Sequence, residues 1–305
     1  MGVVHNAVIR QGKKCAIFDR YSTTDTITIS SKNDGDLQIC CAEGAVTARD
    51  IVSVWWRLKP IVFWQPLATQ DAIAAEFATK EWIAFLSCLP DYLSRARWIN
   101  PPVQQRIAAD KPYQLRVAAT CGFAVPETIF SNSPDQVFSF VDPNKRFVYK
   151  QLSGFMFPPE HFIYTNEIVT SDLRGREPNV QAAPGIYQEL VEKRAEWRVT
   201  VIGDSVFPVR IDSQKSPDTA IDWRRGQLTD IYDLADFDAA VGRKILKVHE
   251  QLGLIYGAYD LIERPDGEIV FLECNPAGAW LWLEEATGLP IADCLALSLA
   301  HPSAV

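Results

Sequence analysis

Asp260, Glu273 and Asn275 are three oxygen-bearing side chains on a stretch that reads as one β-hairpin. Tyr256 to Ile262 and Ile269 to Leu272 are β-branched, aromatic and apolar, and Arg264-Pro265-Asp266-Gly267 between them is a strong turn signal. Folding there brings Asp260 within a register step of Glu273. Side chains alternate faces along a strand, so Glu273 and Asn275 point one way and Cys274 the other. Two carboxylates and a carboxamide, without His or Cys, suit a magnesium ion that shares its coordination with substrate phosphates. The rival reading is an ordinary solvated hairpin. The apolar neighbours argue against it, since a partly buried carboxylate needs a cation.

Three cationic residues lie inside other apolar stretches. Lys150 is embedded in Phe147-Val148-Tyr149-Lys150-Gln151-Leu152, and Arg198 and Arg210 sit in the two strands of a hairpin turning over Gly203-Asp204. A buried ammonium or guanidinium requires an anion. Each has a plainer alternative: a lysine that snorkels to water from an edge strand, or an arginine in a structural ion pair. Ser153-Gly154 after Lys150 could turn backbone toward a phosphate, although the segment is far poorer in glycine than a P-loop.

The elements that must position these groups follow an alternating pattern. Residues 1 to 60 read as β-rich, with strands at Lys14 to Phe18, Thr26 to Ser30, Leu37 to Cys41 and Ile51 to Trp56, and a hairpin turn at Asn33-Asp34-Gly35. Gln70 to Leu93 reads as a helix with Ile73, Phe77, Trp82, Phe85, Leu86 and Leu89 on a core face. Asn100-Pro101-Pro102 marks a boundary. Beyond it come a helix at Lys111 to Cys121, a strand at Glu127 to Phe130, a helix near Asp135 to Val141 and a strand at Arg146 to Gln151. Thr170 to Ala183 reads as a mobile surface loop, and Ile186 to Val191 as a strand. Ser213 to Leu228 is a polar loop able to close over a substrate. A helix from Phe237 to Leu252, stopped by Gly253, should back the Asp260 hairpin, and a last helix runs through Leu299.

Composition removes several function classes. A chain of 305 residues with 48% hydrophobic and 22% charged residues can bury a sizeable core in two or three lobes. No apolar run is long enough to span a membrane, and the start lacks a secretory signal, so a cytoplasmic protein is expected. Seven scattered cysteines without a Cys-x-x-Cys pair suit reduced thiols rather than zinc or disulfides. A formal charge of -8 with no basic cluster argues against nucleic acid as a partner.

Taken in order, Lys111, Lys150, Gln188-Glu189-Leu190-Val191, Arg198, Asp260, Glu273 and Asn275 resemble an ATP-grasp ligase from about residue 98 to residue 300. More narrowly, the chain resembles the microviridin-type (graspetide) peptide macrocyclases. The motifs are Trp55-Trp56-Arg57, the run Arg97 to Pro102, Gly122 to Thr128, Ile163-Tyr164-Thr165, Glu196 to Gly203, Asp222-Trp223-Arg224 and Asn275 to Trp280. The fold this implies is α/β (α+β): two α+β subdomains clasping ATP, after a smaller β-rich lobe. The expected division is 1–100, 101–185 and 186–305.

The resemblance further implies that Lys111 and Lys150 contact ATP phosphates. Adenine would lie beside Gln188, Glu189, Leu190 and Val191, with Glu192 at the ribose. Asp260, Glu273 and Asn275 would hold magnesium, as two ions, and Arg198 and Arg210 would steady the transferred phosphoryl group or acyl phosphate. The partner implied is a precursor peptide of leader plus core; no membrane is involved, and whether the protein forms a homodimer stays open. In the chemistry implied, ATP phosphorylates an Asp or Glu side chain of the peptide. A Ser or Thr hydroxyl, or a Lys amine, then attacks the acyl phosphate to give an intramolecular ester or amide, with release of ADP and phosphate. The rivals are a free-standing ligase joining an amino acid or small carboxylic acid to an amine, and a non-catalytic peptide-binding module.

Overall fold

The computed structural model describes residues 2–18, 28–31, 36–41, 44–57, 71–142, 144–152, 156–157, 161–162, 165–225 and 230–301. The Asn33-Asp34-Gly35 turn and Ser153-Gly154 lie outside these residues.

The first hundred residues hold helix α1 (Gly2–Arg10), strands β1 (Thr28–Ser31), β2 (Leu37–Cys41), β3 (Gly44–Thr47) and β4 (Ser53–Trp55), helix α2 (Ala72–Tyr92) and strand β5 (Arg97–Ile99). Strands β1, β2 and β3 form an antiparallel sheet, and β4 pairs with β5 in parallel. Asp71 caps α2 by accepting the amide N–H of Ile73 and Ala74. The helix buries Leu86 and Leu89 against Leu37 and Trp98. Two expectations fail here. Lys14 to Phe18 forms no strand, and the chain opens instead with α1, whose Val4, Ala7 and Val8 pack on the last helix of the chain. Ile73 and Phe77 are 80% and 64% exposed, because only the later turns of α2 meet the sheet.

The middle of the chain comprises α3 (Pro102–Ala108), α4 (Lys111–Thr120), β6 (Thr128–Ser131), α5 (Pro134–Phe140), β7 (Phe147–Lys150), β8 (Met156–Phe157), β9 (His161–Phe162), β10 (Asn166–Ile168), α6 (Thr170–Leu173), α7 (Glu177–Ala182) and β11 (Gly185–Glu189). Strands β10, β7, β11 and β6 form an antiparallel sheet in that order. Thr170 to Ala183, expected as a loop, carries two short helices. Leu173 and Val180 anchor them to the core beside Phe147 and Tyr187.

The last third contains β12 (Ala195–Ile202), β13 (Ser205–Ile211), β14 (Tyr232–Asp233), α8 (Ala239–Gln251), β15 (Tyr256–Glu263), β16 (Ile269–Asn275), α9 (Leu281–Thr287) and α10 (Ile291–Ala300). Its sheet has the order β14-β13-β12-β15-β16. Val241, Ile245 and Val248 of α8 recur at helical spacing and pack with Val117 and Ala118 of α4 on Val199, Val201, Leu261 and Phe271. Gly253, at φ 63°, ends the helix in the left-handed conformation that glycine adopts without penalty.

Two pairings cross the expected divisions. Strand β11, expected with the C-terminal part, pairs with β6 and β7 of the middle sheet. Helix α4, expected with the middle part, packs on β16 and α8. The result places the first residue of α4, Lys111, beside the hairpin.

Candidate active site

Strands β15 and β16 pair with Asp260 opposite Glu273 and Ala258 opposite Asn275. The register shifts between Asp260 and Leu261, since Leu261 opposes Phe271, and Leu272 is the extra residue of a β-bulge. The bulge has a direct consequence. Phe271 and Cys274 both enter the core on one face, while Glu273 between them turns to the other face and meets Asp260. The structure thus brings the three expected ligands together: the Asn275 amide Nδ2 lies 3.5 Å from Asp260 Oδ2 and 3.3 Å from Glu273 Oε1.

Buried polar side chains hold this end of the hairpin. Gln114 of α4 accepts the Cys274 N–H at 2.9 Å and donates to the Cys274 carbonyl at 2.8 Å, fixing the backbone between Glu273 and Asn275. Asn100 accepts the N–H groups of Ile255 and Tyr256 and donates to the carbonyls of Tyr256 and Pro276. It therefore joins the start of β15 to the end of β16. Tyr256 donates its hydroxyl to the Gly278 carbonyl at 2.6 Å. A Cβ at Gly278 would stand 2.7 Å from Arg198 Nη2 and from Ala258 Cβ, so only glycine fits this approach.

Cations surround the two acids. Arg198, paired across the ladder with Asp260, donates from Nη1 to both Asp260 oxygens at 2.8 Å and from Nη2 to the Ala279 carbonyl at 3.1 Å. Lys111 donates to Glu273 Oε2. Lys150, from β7 of the facing sheet, donates to Gln188 Oε1 at 2.6 Å, and Gln188 in turn donates to Thr128 at 2.9 Å. Burial pushes the Lys150 ammonium down to about 8, against the attraction of Glu273. The charge of Lys111, with that of Lys150, holds Glu273 well below the usual carboxylate range despite burial. Burial raises Asp260, and the Arg198 charge only partly opposes it.

Arg210 is not part of this group. It pairs across the ladder with Trp197, on the face opposite Arg198, and its Nε lies 3.8 Å from Glu263. Gln188 is buried, and Glu189 ends β11. Leu190, Val191 and the exposed Glu192 form the link between the two sheets. The N–H groups of Glu189 and Leu190 already donate to the carbonyls of Glu127 and Arg146.

The site also contains a pair whose role sequence reasoning did not assign. The turn Trp223–Arg225 carries Arg224, which donates from Nε and Nη2 to the buried Asp222 at 2.7 and 2.6 Å. Burial would raise the Asp222 carboxyl, but Arg224 and the Thr165 N–H hold it below its ordinary value. The Arg224 charge acts on Lys150, Asp260 and Glu273 alike, placing it in the same cleft. Arg225 donates to the Thr165 carbonyl at 2.6 Å and to Asn166 at 2.9 Å, tying this turn to the middle sheet. The Asp-x-Arg spacing is the available signal, within a segment that otherwise reads only as a polar loop.

The donor set fits a hard divalent cation. Among the described residues no three His, Cys, Asp or Glu side chains cluster as in an all-protein metal cage. Two carboxylates and one carboxamide leave most positions to phosphate oxygens and water, as magnesium requires. A half-turn of the Asn275 amide would present its oxygen in place of the N–H donor.

Two sheets facing across a cleft, with Lys150 on one wall and Lys111 beside an Asp-Glu-Asn hairpin on the other, match the ATP-grasp ligase fold. The particular likeness is to peptide-modifying members. The macrocyclase MdnC from Microcystis aeruginosa MRC, solved with precursor peptide MdnA, superposes with TM-score 0.84 at 26% identity, covering 98% of this chain and 95% of that one. A RiPP-associated ATP-grasp ligase from Chryseobacterium gregarium, solved with ADP and a leader and core peptide, gives 0.80 at 24% identity over 99% and 93%. The D-cycloserine synthetase DcsG gives 0.62 at 19% identity over 99% and 94%, a likeness of fold. No protein-family model and no curated protein matches the sequence.

Proposed function

We propose that this protein is an ATP-dependent carboxylate ligase that crosslinks side chains within a precursor peptide of leader plus core, through ester or amide bonds. The observation that carries the reading is the convergence of Lys111, Lys150 and Arg224 on the Asp260–Glu273 pair, in a chain similar over its length to a macrocyclase. Such a cleft suits phosphoryl transfer, where catalysis is mostly positioning and neutralisation of charge.

Lys111 and Lys150 bind ATP phosphates, and Lys111 exchanges Glu273 for phosphate as the nucleotide enters. Adenine lies along Gln188 to Val191, where the N–H groups of Glu189 and Leu190 are already bonded to Glu127 and Arg146. Asp260, Glu273 and Asn275 hold magnesium. When bound by these residues, the ion would neutralise charge on the transferred phosphate. Arg198, whose side chain is only 5% exposed, orients Asp260. Arg224, about half exposed, is the guanidinium placed to meet the substrate carboxylate and the acyl phosphate made from it.

The scheme needs no enzyme nucleophile. Cys274, beside the ligands, faces the core with its thiol pushed up to about 12 by burial. No helix among the described residues is long and apolar enough to cross a membrane, and we place the enzyme in the cytoplasm, where ATP and new peptide meet. The test is to incubate the protein, ATP and magnesium with a short peptide encoded beside its gene and rich in Thr/Ser and Glu/Asp. The peptide should lose one water per linkage, with one ADP released. Release of ADP with free amino acids and no change in any peptide would establish the small-molecule ligase instead.

A further inference from the structure

Three aromatic rings meet beside the acids without belonging to a core. Trp223 lies in the turn after Asp222, Tyr232 in β14 and Trp282 in α9. The Trp223 and Trp282 centroids are 5.7 Å apart at 33°, and Trp223 meets Tyr232 edge-on at 6.2 Å. All three are half-buried, and none is part of the buried clusters formed by the described residues. Partly exposed tryptophan and tyrosine rings brought together from three separate segments are a feature of binding surfaces rather than of cores.

Their position gives the surface a purpose. The Arg198 guanidinium lies 6.0 Å from the Trp282 ring centroid while gripping Asp260. Trp223 lies in sequence between Asp222 and Arg224, the guanidinium assigned above to the reacting carboxylate and held by that Asp222. The rings are therefore continuous with the point of reaction, and the adenine has its own place beside Gln188 to Val191. We infer that Trp223, Tyr232 and Trp282 form a shelf that receives an aromatic side chain of the substrate peptide next to its reacting Asp or Glu. The inference rests on the peptide reading above. The shelf selects which acid in a peptide is presented to Arg224: offset or edge-on ring contacts favour an aromatic neighbour, and a polar neighbour gains nothing from them.

The test uses two blocked tripeptides, Ac-Phe-Glu-Phe-NH2 and Ac-Ser-Glu-Ser-NH2, titrated by NMR into the full-length protein with magnesium and ADP. The wild type should bind the first about 5-fold more tightly or better. Trp223→Ala and Tyr232→Ser should reduce that preference to about 2-fold or less while leaving the affinity for ADP unchanged. Trp282→Leu should do the same; if it fails to fold, the other two variants decide. Equal affinity of the wild type for both peptides, including no binding of either, overturns the inference. So does a folded Trp223→Ala protein with its preference intact. ADP release and crosslinking without aromatic preference would sink the shelf alone. Aromatic preference without ADP release from any peptide would sink the ligase reading alone.

Discussion

Arg198 and Arg210 occupy neighbouring strands of one sheet, in similar apolar sequence, and end on opposite faces. On Arg198's face lie Asp260, Glu273 and Asn275, with Lys150 approaching from the second sheet. On Arg210's face Glu263 accepts the Trp197 indole N–H at 3.0 Å and is paired with Arg194 and Arg210, at the edge of the core built by α4 and α8. Both faces carry buried acids with arginine partners. They differ in saturation. Glu263 has its partners within its own sheet, whereas the Asp260–Glu273 pair draws Lys111 from a helix, Arg224 from a loop and the field of Lys150 from another sheet. Charge gathered from separate elements suits the face proposed to bind nucleotide and metal, and charge satisfied locally suits one that holds the sheet together.

The sharpest way to break this comparison is to neutralise the same residue type on each face. Glu273→Gln should lower ADP release by more than about 100-fold, since even residues that only support metal ligands cost 10- to 100-fold. Glu263→Gln should leave the turnover of the folded fraction intact: it strips charge-assisted bonds from Arg194 and the buried Trp197 contact, costing about 1–3 kcal/mol by thermal melting. Equal turnover in the two variants would abolish the distinction between the faces.

Asn100 tests whether the hairpin ends act as a frame for the polar face. Asn100→Ala leaves two backbone N–H and two carbonyl groups buried without partners, a loss of about 3 kcal/mol. Denaturant unfolding should show that loss, together with weaker magnesium-dependent nucleotide binding because Pro276 directly follows Asn275, the proposed ligand. A smaller contrast separates the two arginines. Arg198→Lys, which cannot span both Asp260 oxygens and the Ala279 carbonyl, should weaken magnesium-dependent ADP binding about 10- to 100-fold by calorimetry. Arg210→Lys should change it by less than about 3-fold, as expected of a long, partly exposed ion pair.

The polar face is largely legible in the order of the residues, and the opposite face much less so. The hairpin, its turn and its ligand spacing follow from period-two alternation and Arg264-Pro265-Asp266-Gly267, and α8 follows from Val241, Ile245 and Val248. Parity and partnership are what a local pattern does not carry. Alternation predicts that Glu273 and Asn275 share a face, but Phe271 would then join them; the bulge at Leu272 resolves this, and nothing local in Phe-Leu-Glu announces it. The assignment of Arg210 to the site fails for the same reason, since the face of an arginine depends on a register set by seven cross-strand pairs. Asn100 and Gln114 are illegible because a polar residue's burial is decided by elements more than 150 positions away. The helical start of the chain escapes the pattern because α1 owes its burial to α10, at the far end of the sequence.

The subtlest contrast lies in protons. Lys150 is the cation of the cleft that burial holds down, at about 8, with Gln188 as its neutral partner. Lys111 instead rests on a carboxylate. A nucleotide phosphate near Lys150 favours the ammonium and raises its pKa. Binding therefore takes up a proton where the free protein has lost it, above about pH 8 and below the ordinary lysine value of about 10.4. At pH 9 only about a tenth of the free protein has Lys150 charged, so ADP affinity should fall by about 3- to 10-fold from its value at pH 7. Calorimetry in two buffers of different ionisation enthalpy should reveal uptake approaching one proton at pH 9 and close to none at pH 7. Lys150→Arg, charged throughout, should remove the uptake and flatten the pH dependence. A decline above pH 8 that persists in Lys150→Arg would transfer the titration to another group and leave Lys150 as a structural partner of Gln188, the local kind of pairing found on the opposite face.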